Sequence, residues 1–402
     1  NFGGDASQGQ TEYNLVSGVS NPFGGGSSFK IFTSAAALEQ GAAGLDTQLP
    51  NPSSQCIQPP ITNSSTPPYC PTNLGSYPDP ISLRTALATS PNVAFVNLEK
   101  QAGLPNVLNM AYRLGLRHTM TSNQHGHDPE PASNDPFVNQ PQIQAFHNDL
   151  GFTLGSSQVS PLEMANVVAT LKSGGMWCPP NPIMSITDRN GKPVPVHALP
   201  CEQVVSPQVA NALLDGMSQD TVSGTSAQAA KAAGWSRPDV GKTGTTQENK
   251  SVAFVGGVNN YAVASMVFAD DAKPRPICPG HPVVGASYGC SHAFGGSVAA
   301  PPYFQAFNKI LAGQPNQPVP GADPAFLQAH PHGDTVPFVM LQKTADAQQA
   351  LKKAGYPSTV HTVPGSLDSK GTIIGETPMG NIKKGTTITL YASDGSITPA
   401  TP

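Results

Sequence analysis

Apolar positions recur at three- and four-residue spacing in several stretches of the chain, the period of a helix with one buried face. Residues 27–40 carry two such sets, Phe29, Phe32, Ala36 and Ile31, Ala35, Leu38, and Gly41 stops the pattern. In residues 81–115 the periodicity runs through Ile81, Leu83, Ala86, Leu87, then Val93, Phe95, Val96, Leu98, then Leu104, Val107, Leu108, Ala111 and Leu114. Its break at Ser90-Pro91-Asn92 predicts a turn between helices, because proline fixes its own φ where a helix can begin. Ser160-Pro161 opens a further helix that Gly174-Gly175 closes, and 206–220 reads as another, with Val209, Leu213, Leu214 and Met217 on one side.

The period then changes. Residues 181–205 read as short strands around an Asp188–Gly191 turn. Residues 239–246, 252–258 and 261–268 alternate between polar turns, the second being Asn259-Asn260. That predicts a meander of three antiparallel strands. Phe294 to Pro301 leads into a helix over 303–312. A Pro/Gly/Ala/His linker occupies 313–332. A compact unit follows at 333–395, with a helix over 344–354 and alternating stretches around 372–375 and 386–391; residues 396–402 read as a disordered tail. Helices and antiparallel strands together make this an α+β chain.

Composition narrows the class. Of 402 residues, 38% are hydrophobic and only 11% charged, too apolar and too lightly charged for a disordered chain. A net charge of −4 gives no electrostatic reason to expect nucleic acid as a partner. No run of eighteen apolar residues occurs, so the stretch given contains no membrane-spanning segment, and it opens abruptly on Asn1-Phe-Gly-Gly, like the middle of a longer protein. Six cysteines form three sequence-local couples, each across a proline-rich loop. None has Cys-x-x-Cys spacing, so disulfides Cys56–Cys70, Cys178–Cys201 and Cys278–Cys290 in an oxidising compartment are expected rather than zinc. His125-Gly-His127-Asp128 reads as an exposed polar loop rather than a metal site.

Three short motifs carry candidate chemistry. On a helix, Ser27 and Lys30 fall one turn apart on the same face, where a serine nucleophile and its proton acceptor belong. Ser90 and Asn92 flank Pro91 and present a hydroxyl and an amide on a fixed turn. Lys242-Thr243-Gly244 lies on the first strand of the meander, where a lysine beside a glycine leaves room for an extended ligand and a cation for its carboxylate. Each alone has a bland alternative: a helix cap with a solvated lysine, an ordinary serine cap, an exposed strand lysine.

In this order and on these element types, the triple Ser27-x-x-Lys30, Ser90-x-Asn92, Lys242-Thr243-Gly244 resembles the signature set of penicillin-binding proteins and serine β-lactamases. The words Gly26-Ser-Ser-Phe-Lys30, Gly174-Gly175, Gly224-Thr225, Gly241-Lys-Thr-Gly-Thr-Thr246 and Phe294-Gly-Gly-Ser297 are similar to the transpeptidase region of class A, bifunctional penicillin-binding proteins, over residues 1–312. Val336-Pro337, Ala350-Leu351, Gly355, Gly371, Pro378, Lys384-Gly385-Thr386 and Leu390 resemble a PASTA domain over 333–395. One such module at the C-terminal end resembles an actinobacterial, mycobacterial-type synthase.

The resemblance implies a D,D-transpeptidase that cross-links peptidoglycan stem peptides through a Ser27 acyl-enzyme and is acylated by β-lactams. Lys30 would take the serine proton, Ser90 would relay a proton to the leaving amine, and Asn92 would hold the donor peptide. Lys242 and Thr245, supported by Thr246, would orient the terminal carboxylate on the Thr243-Gly244 strand, and backbone N–H groups of Ser27 and Thr245 would form the oxyanion hole. No metal or cofactor is implied. The site would act outside the cytoplasm, at the cell-wall face of the membrane, in a parent carrying an anchor and a glycosyltransferase module. Muropeptide is a further expected partner, at the PASTA unit. The alternatives are a D,D-carboxypeptidase or β-lactamase on the same scaffold, or a non-catalytic cell-wall or β-lactam sensor. Glu163-Met-Ala-Asn166 looks superficially like a β-lactamase deacylating glutamate and is read here as part of a helix.

Overall fold

The computed structural model describes residues 3–396, apart from 9, 11, 13, 60–66, 196–199, 270–273, 278–292, 331–335, 338, 340–341, 364–369 and 378–381. The principal helices are α1 (Lys30–Glu39), α2 (Leu83–Thr89), α3 (Asn92–Ala102), α4 (Leu104–Leu114), α5 (Pro161–Lys172), α6 (Pro207–Met217), α7 (Ala300–Ile310) and α8 (Thr344–Lys353). A central antiparallel sheet has the order β1 (Asp239–Thr245), β2 (Ser251–Val258), β3 (Tyr261–Phe268). Its register sets Lys242 opposite Val255 and Thr243 opposite Phe254.

Burial explains the layering. All of α1 except its last residue, Glu39, is buried, so this helix is enclosed on every side and forms the centre of the main core. It packs against α3, α4 and α6. The strand β2 is buried along its whole length. Its alternation divides the core: Val252, Phe254 and Val258 pack with Tyr303, Phe304 and Phe307 of α7, whereas Val255 joins the core around α1. The sheet is therefore covered by helices on both faces, α5 lying against β2 and β3.

The helix expected over 27–40 is in two parts. Gly26–Phe29 is a 3₁₀ turn and the α-helix begins at Lys30. Gly26, at φ 57°, opens the tighter turn, a conformation that side-chain-bearing residues rarely take. The expected turn pairs Ile186–Thr187 with Pro193–Val194. Cys56 and Cys70 have sulfurs 2.02 Å apart and Cys178 and Cys201 2.07 Å apart; Cys278 and Cys290 lie outside the described residues.

The segment read as a linker lies along the body. Leu45 and Asp46 donate backbone N–H to Phe326 and Leu327, and His330 donates to Gly41. Beyond it, α8 packs on a sheet of order β4 (Ser358–Val363), β6 (Ile388–Ser393), β5 (Ile373–Thr377). The strand β4 went unread in the sequence because its side chains are mostly exposed and leave no apolar alternation. This unit has its own core of Val336, Val339, Ala347, Leu351, Tyr356, Ile373, Ile388, Leu390 and Ala392.

Candidate active site

Three elements meet at one place because glycines let their backbones touch. A Cβ on Gly26 would lie 2.5 Å from Thr245 N, and one on Gly244 would lie 1.9 Å from Gly25 O. No other residue type fits either position. The turn carrying Ser27 is thereby pressed onto the end of β1. Asn21 and Ser251 hold it there: Asn21 Nδ2 donates to Gly24 O (2.9 Å) and Ser251 Oγ (2.8 Å), and Ser251 Oγ donates to Gly24 O (2.9 Å).

Lys30 opens α1 one turn after Ser27. Its ammonium reaches Ser90 O at 2.8 Å, Asn92 Oδ1 at 3.0 Å and Ser90 Oγ at 3.2 Å, over the face of Phe95. Lys242 approaches Ser90 from the strand side, its Nζ 2.8 Å from Ser90 Oγ and 3.0 Å from Thr243 O. One hydroxyl thus bridges two fully buried lysines. Ser27 is half-buried and, among the described residues, its Oγ has no hydrogen-bond partner. The structure bonds Lys30, Ser90, Asn92 and Lys242 together, and Ser27 stands one turn before Lys30 with its hydroxyl bonded to none of them.

Two buried ammonium groups this close cannot both hold their protons at ordinary values. Burial holds Lys30 well below the usual lysine range, and the charge of Lys242 pushes the same way. Burial lowers Lys242 to about 8, with Asp220 opposing. Lys30 is therefore the more readily deprotonated of the two, and Lys242 is the one that keeps a charge at neutral pH.

Ser90 takes its position at a cost. It caps α2 in the left-handed region, φ 66° and ψ 40°, and Asn92 opens α3 after Pro91. The Asn92 side chain is pinned on both sides: Oδ1 accepts from Lys30 and Nδ2 donates to Thr72 O at 2.9 Å. Asn73 Oδ1 accepts from the backbone N–H groups of Asn92 (2.7 Å) and Val93 (3.0 Å), capping α3 from outside the helix.

The remaining expected residues are placed less directly. Thr243 Oγ1 lies 2.5 Å from Thr225 Oγ1, and Gly244 serves the packing just described. Thr245 Oγ1 accepts from Gly295 N at 3.0 Å. Thr246 Oγ1 accepts from Ser251 N (2.9 Å) and donates to Ser251 O (3.2 Å), so its hydroxyl closes the β1–β2 turn. The Glu163 carboxylate accepts from His118 N at 2.6 Å and Thr119 N at 2.8 Å, which occupies both oxygens in capping the short helix Arg117–Thr121. Beside the turn that carries Ser27, Phe23, Tyr69, Asp149, Gly155 and Thr246 line an open cleft of about 390 Å³.

Sequence reasoning missed Thr72 and Asn73, which sit in a proline-rich loop with no periodicity to mark them. It also missed Asp220 and the use of Thr225 below β1. Among the described residues, no group of three or more His, Cys, Asp or Glu could hold a metal ion.

The penicillin-binding protein transpeptidase domain matches residues 4–275, which is most of the chain. The chain belongs to the penicillin-binding protein transpeptidase family. Penicillin-binding protein 1A of Neisseria gonorrhoeae is 28% identical over 297 residues, covering 72% of this chain and 31% of that protein. Penicillin-binding protein 1B of Haemophilus influenzae is 28% identical over 221 residues, covering 52% and 25%. The chain thus spans about a quarter to a third of the length of these curated relatives. The fold of the penicillin-binding protein PonA1 from Mycobacterium tuberculosis is also similar: TM-score 0.58 at 21% identity over 84% of this chain and 79% of that one. A second PonA1 structure, in complex with penicillin V, aligns with TM-score 0.55 at 22% identity over 76% and 73%. No helix among the described residues is long and apolar enough to cross a membrane.

Proposed function

We propose that this chain is the D,D-transpeptidase part of a class A penicillin-binding synthase of actinobacterial, mycobacterial type, acting on peptidoglycan stem peptides outside the cytoplasm. The observation that carries the reading is the Ser90 hydroxyl, held at 2.8 Å by Lys242 and 3.2 Å by Lys30, the lysine one turn after the unbonded Ser27. Neutral Lys30 has two N–H groups for Ser90 O and Asn92 Oδ1, and a lone pair left to accept a proton. Ser27 Oγ attacks the carbonyl carbon of the penultimate D-alanine and its proton passes to Lys30. Lys242 donates to Ser90 Oγ, so the Ser90 proton is free to move to the departing amine, and Lys30 resupplies it. The C–N bond breaks, D-alanine leaves, and the acyl group remains on Ser27. The amine of a neighbouring stem then attacks that ester, forms the cross-link and restores the serine.

Asn92 holds the donor amide, while Lys242 and Thr245 orient the terminal carboxylate with Thr246 in support. Oxyanion stabilisation comes from the backbone N–H groups of Ser27 and Thr245; losing one such donor costs about 3 kcal/mol in related chemistry. A β-lactam acylates Ser27 by the same steps, a reading that the penicillin V complex of PonA1 supports. The capped Glu163 carboxylate favours transfer over a β-lactamase that would use it to activate water. Residues 333–395 are proposed as a PASTA module, supported by α8 on a three-stranded sheet beside the motif residues quoted above.

The test supplies a pentapeptide muropeptide donor with a radiolabelled D-amino acid acceptor. Exchange of the terminal D-alanine for the label is expected, and Ser27→Ala abolishes it. Release of D-alanine with no label incorporated would make the chain a carboxypeptidase instead.

A further inference from the structure

Behind the strand that carries Lys242 lies a carboxylate with no role in the steps above. Asp220 begins the short helical turn Asp220–Ser223 and is fully buried. Its Oδ1 accepts from Thr225 Oγ1 at 2.5 Å and Thr225 N at 3.2 Å, and its Oδ2 accepts from Ser226 Oγ at 2.5 Å. A Cβ on Gly241 would lie 3.3 Å from Asp220 Oδ2, so the carboxylate sits directly under the residue before Lys242. Thr225 N also donates to Ala88 O at 3.0 Å, two residues before Ser90. The Asp220–Ser226 segment is thus wedged between the helix that presents Ser90 and the strand that presents Lys242.

The proton count fixes a direction. Asp220 meets three donors and is an acceptor only, so the single Thr225 hydroxyl proton goes to it. Thr243 must then supply the proton in its 2.5 Å contact with Thr225. The Thr243 hydroxyl is turned inward. Of the three Lys242 N–H groups, Ser90 Oγ and Thr243 O take two, and one is left for an incoming anion.

Resting on the proposed function, we infer that Asp220 is a positioning residue of this site: it orients the Thr225–Thr243 hydroxyl pair and keeps Lys242 charged to receive the carboxylate end of the ligand. The charged groups that act on Asp220 are Lys242 and Asp239 on β1; beyond them Tyr303 on α7 and Lys172 on α5 face Asp239, and Lys30 on α1 faces Lys242. Burial lowers Lys242 to about 8 and Lys30 adds no support, so Asp220 is the group that opposes loss of the proton. Asp239 is bonded to Thr221 (2.6 Å) and Tyr303 (3.1 Å), with burial raising it to about 6.

The test compares acylation of the wild type and Asp220→Asn by benzylpenicillin and by its methyl ester, which lacks the carboxylate, between pH 6 and 9. In the wild type the acid-to-ester rate ratio falls as Lys242 loses its proton near 8. In Asp220→Asn that fall moves about one pH unit lower, and the ratio at pH 8 drops about fivefold. An unchanged ratio at every pH, with or without an equal loss for both ligands, would overturn the inference. Should Asp220→Asn not fold, Thr225→Val and Thr225→Ser decide: Val lowers the ratio and Ser restores it, whereas equal loss with both ligands overturns the assignment. A wild type that forms no Ser27 adduct with benzylpenicillin removes the proposed function and this inference together. An adduct with an unshifted profile removes the inference alone.

Discussion

Replacing Ser90 with glycine separates the fold from the chemistry at a single position. The residue holds φ 66° and ψ 40° at the end of α2, where a side chain costs about 1–2 kcal/mol that glycine does not incur. Its hydroxyl, in turn, receives both buried lysines. The charge-assisted bond from Lys242 is worth about 1.5–3 kcal/mol and the contact with neutral Lys30 about 0.5–1.5 kcal/mol, so losing both removes roughly 2–4.5 kcal/mol from the arrangement that moves the proton. At about 1.36 kcal/mol per decade, Ser90→Gly is expected to slow acylation by a fluorescent penicillin about one and a half to three decades. The thermal unfolding midpoint should fall only modestly, because relief of the left-handed backbone offsets part of the lost contacts. Stopped-flow acylation and calorimetry on the same preparation read the two quantities. Acylation within threefold of wild type would refute the bridging role of the hydroxyl. A collapse of the midpoint would refute the assignment of strain to this position.

Other perturbations probe what supports the site. Asn73→Ala removes the acceptor for Asn92 N and Val93 N; a stability loss of about 1 kcal/mol by denaturant titration and slower acylation are expected, and unchanged acylation would free Asn92 from this support. Gly244→Ala puts a methyl group 1.9 Å from Gly25 O, so the variant should bind no penicillin even if circular dichroism finds it folded; normal binding would contradict the close packing of the two turns. Glu376, fully buried against Val339 N and Asn109 Nδ2, is raised by burial from 4.5 to about 8. The folded state then holds this proton more tightly than the unfolded one. Its contribution is fully present below about pH 4.5 and is lost as pH rises to about 8, at most about 5 kcal/mol. Glu376→Gln should flatten the fall in stability between pH 5 and 9, and an unaltered pH dependence would refute the assignment.

Much of the site was legible because its parts are short motifs on predictable elements. Ser27, Lys30, Ser90, Asn92 and Lys242 each stand at an element boundary or beside a glycine, where local chemistry marks the chain. The three strands 239–245, 251–258 and 261–268 were readable from alternation and turn residues. What could not be read are the contacts made across the fold. Nothing local marks Asn73 as the acceptor for the start of α3, nineteen residues on. Asp220 looks like any acid on a short helix until β1 is laid over it. Nothing local marks the Thr246 hydroxyl as bonded across the β1–β2 turn either. The 3₁₀ turn at Gly26–Phe29 also escaped the helical reading, because residues three apart share a face in both geometries. The exposed strand Ser358–Val363 left no pattern to find.

The central claim is that Ser27 is the nucleophile. Intact-mass spectrometry after incubation with benzylpenicillin, on this chain and on Ser27→Ala, tests it most directly. The account predicts a stable adduct of one benzylpenicillin on the first and none on the second. Hydrolysed antibiotic with no lasting adduct would contradict it in favour of a β-lactamase. An adduct that survives in Ser27→Ala would contradict the assignment of the nucleophile itself.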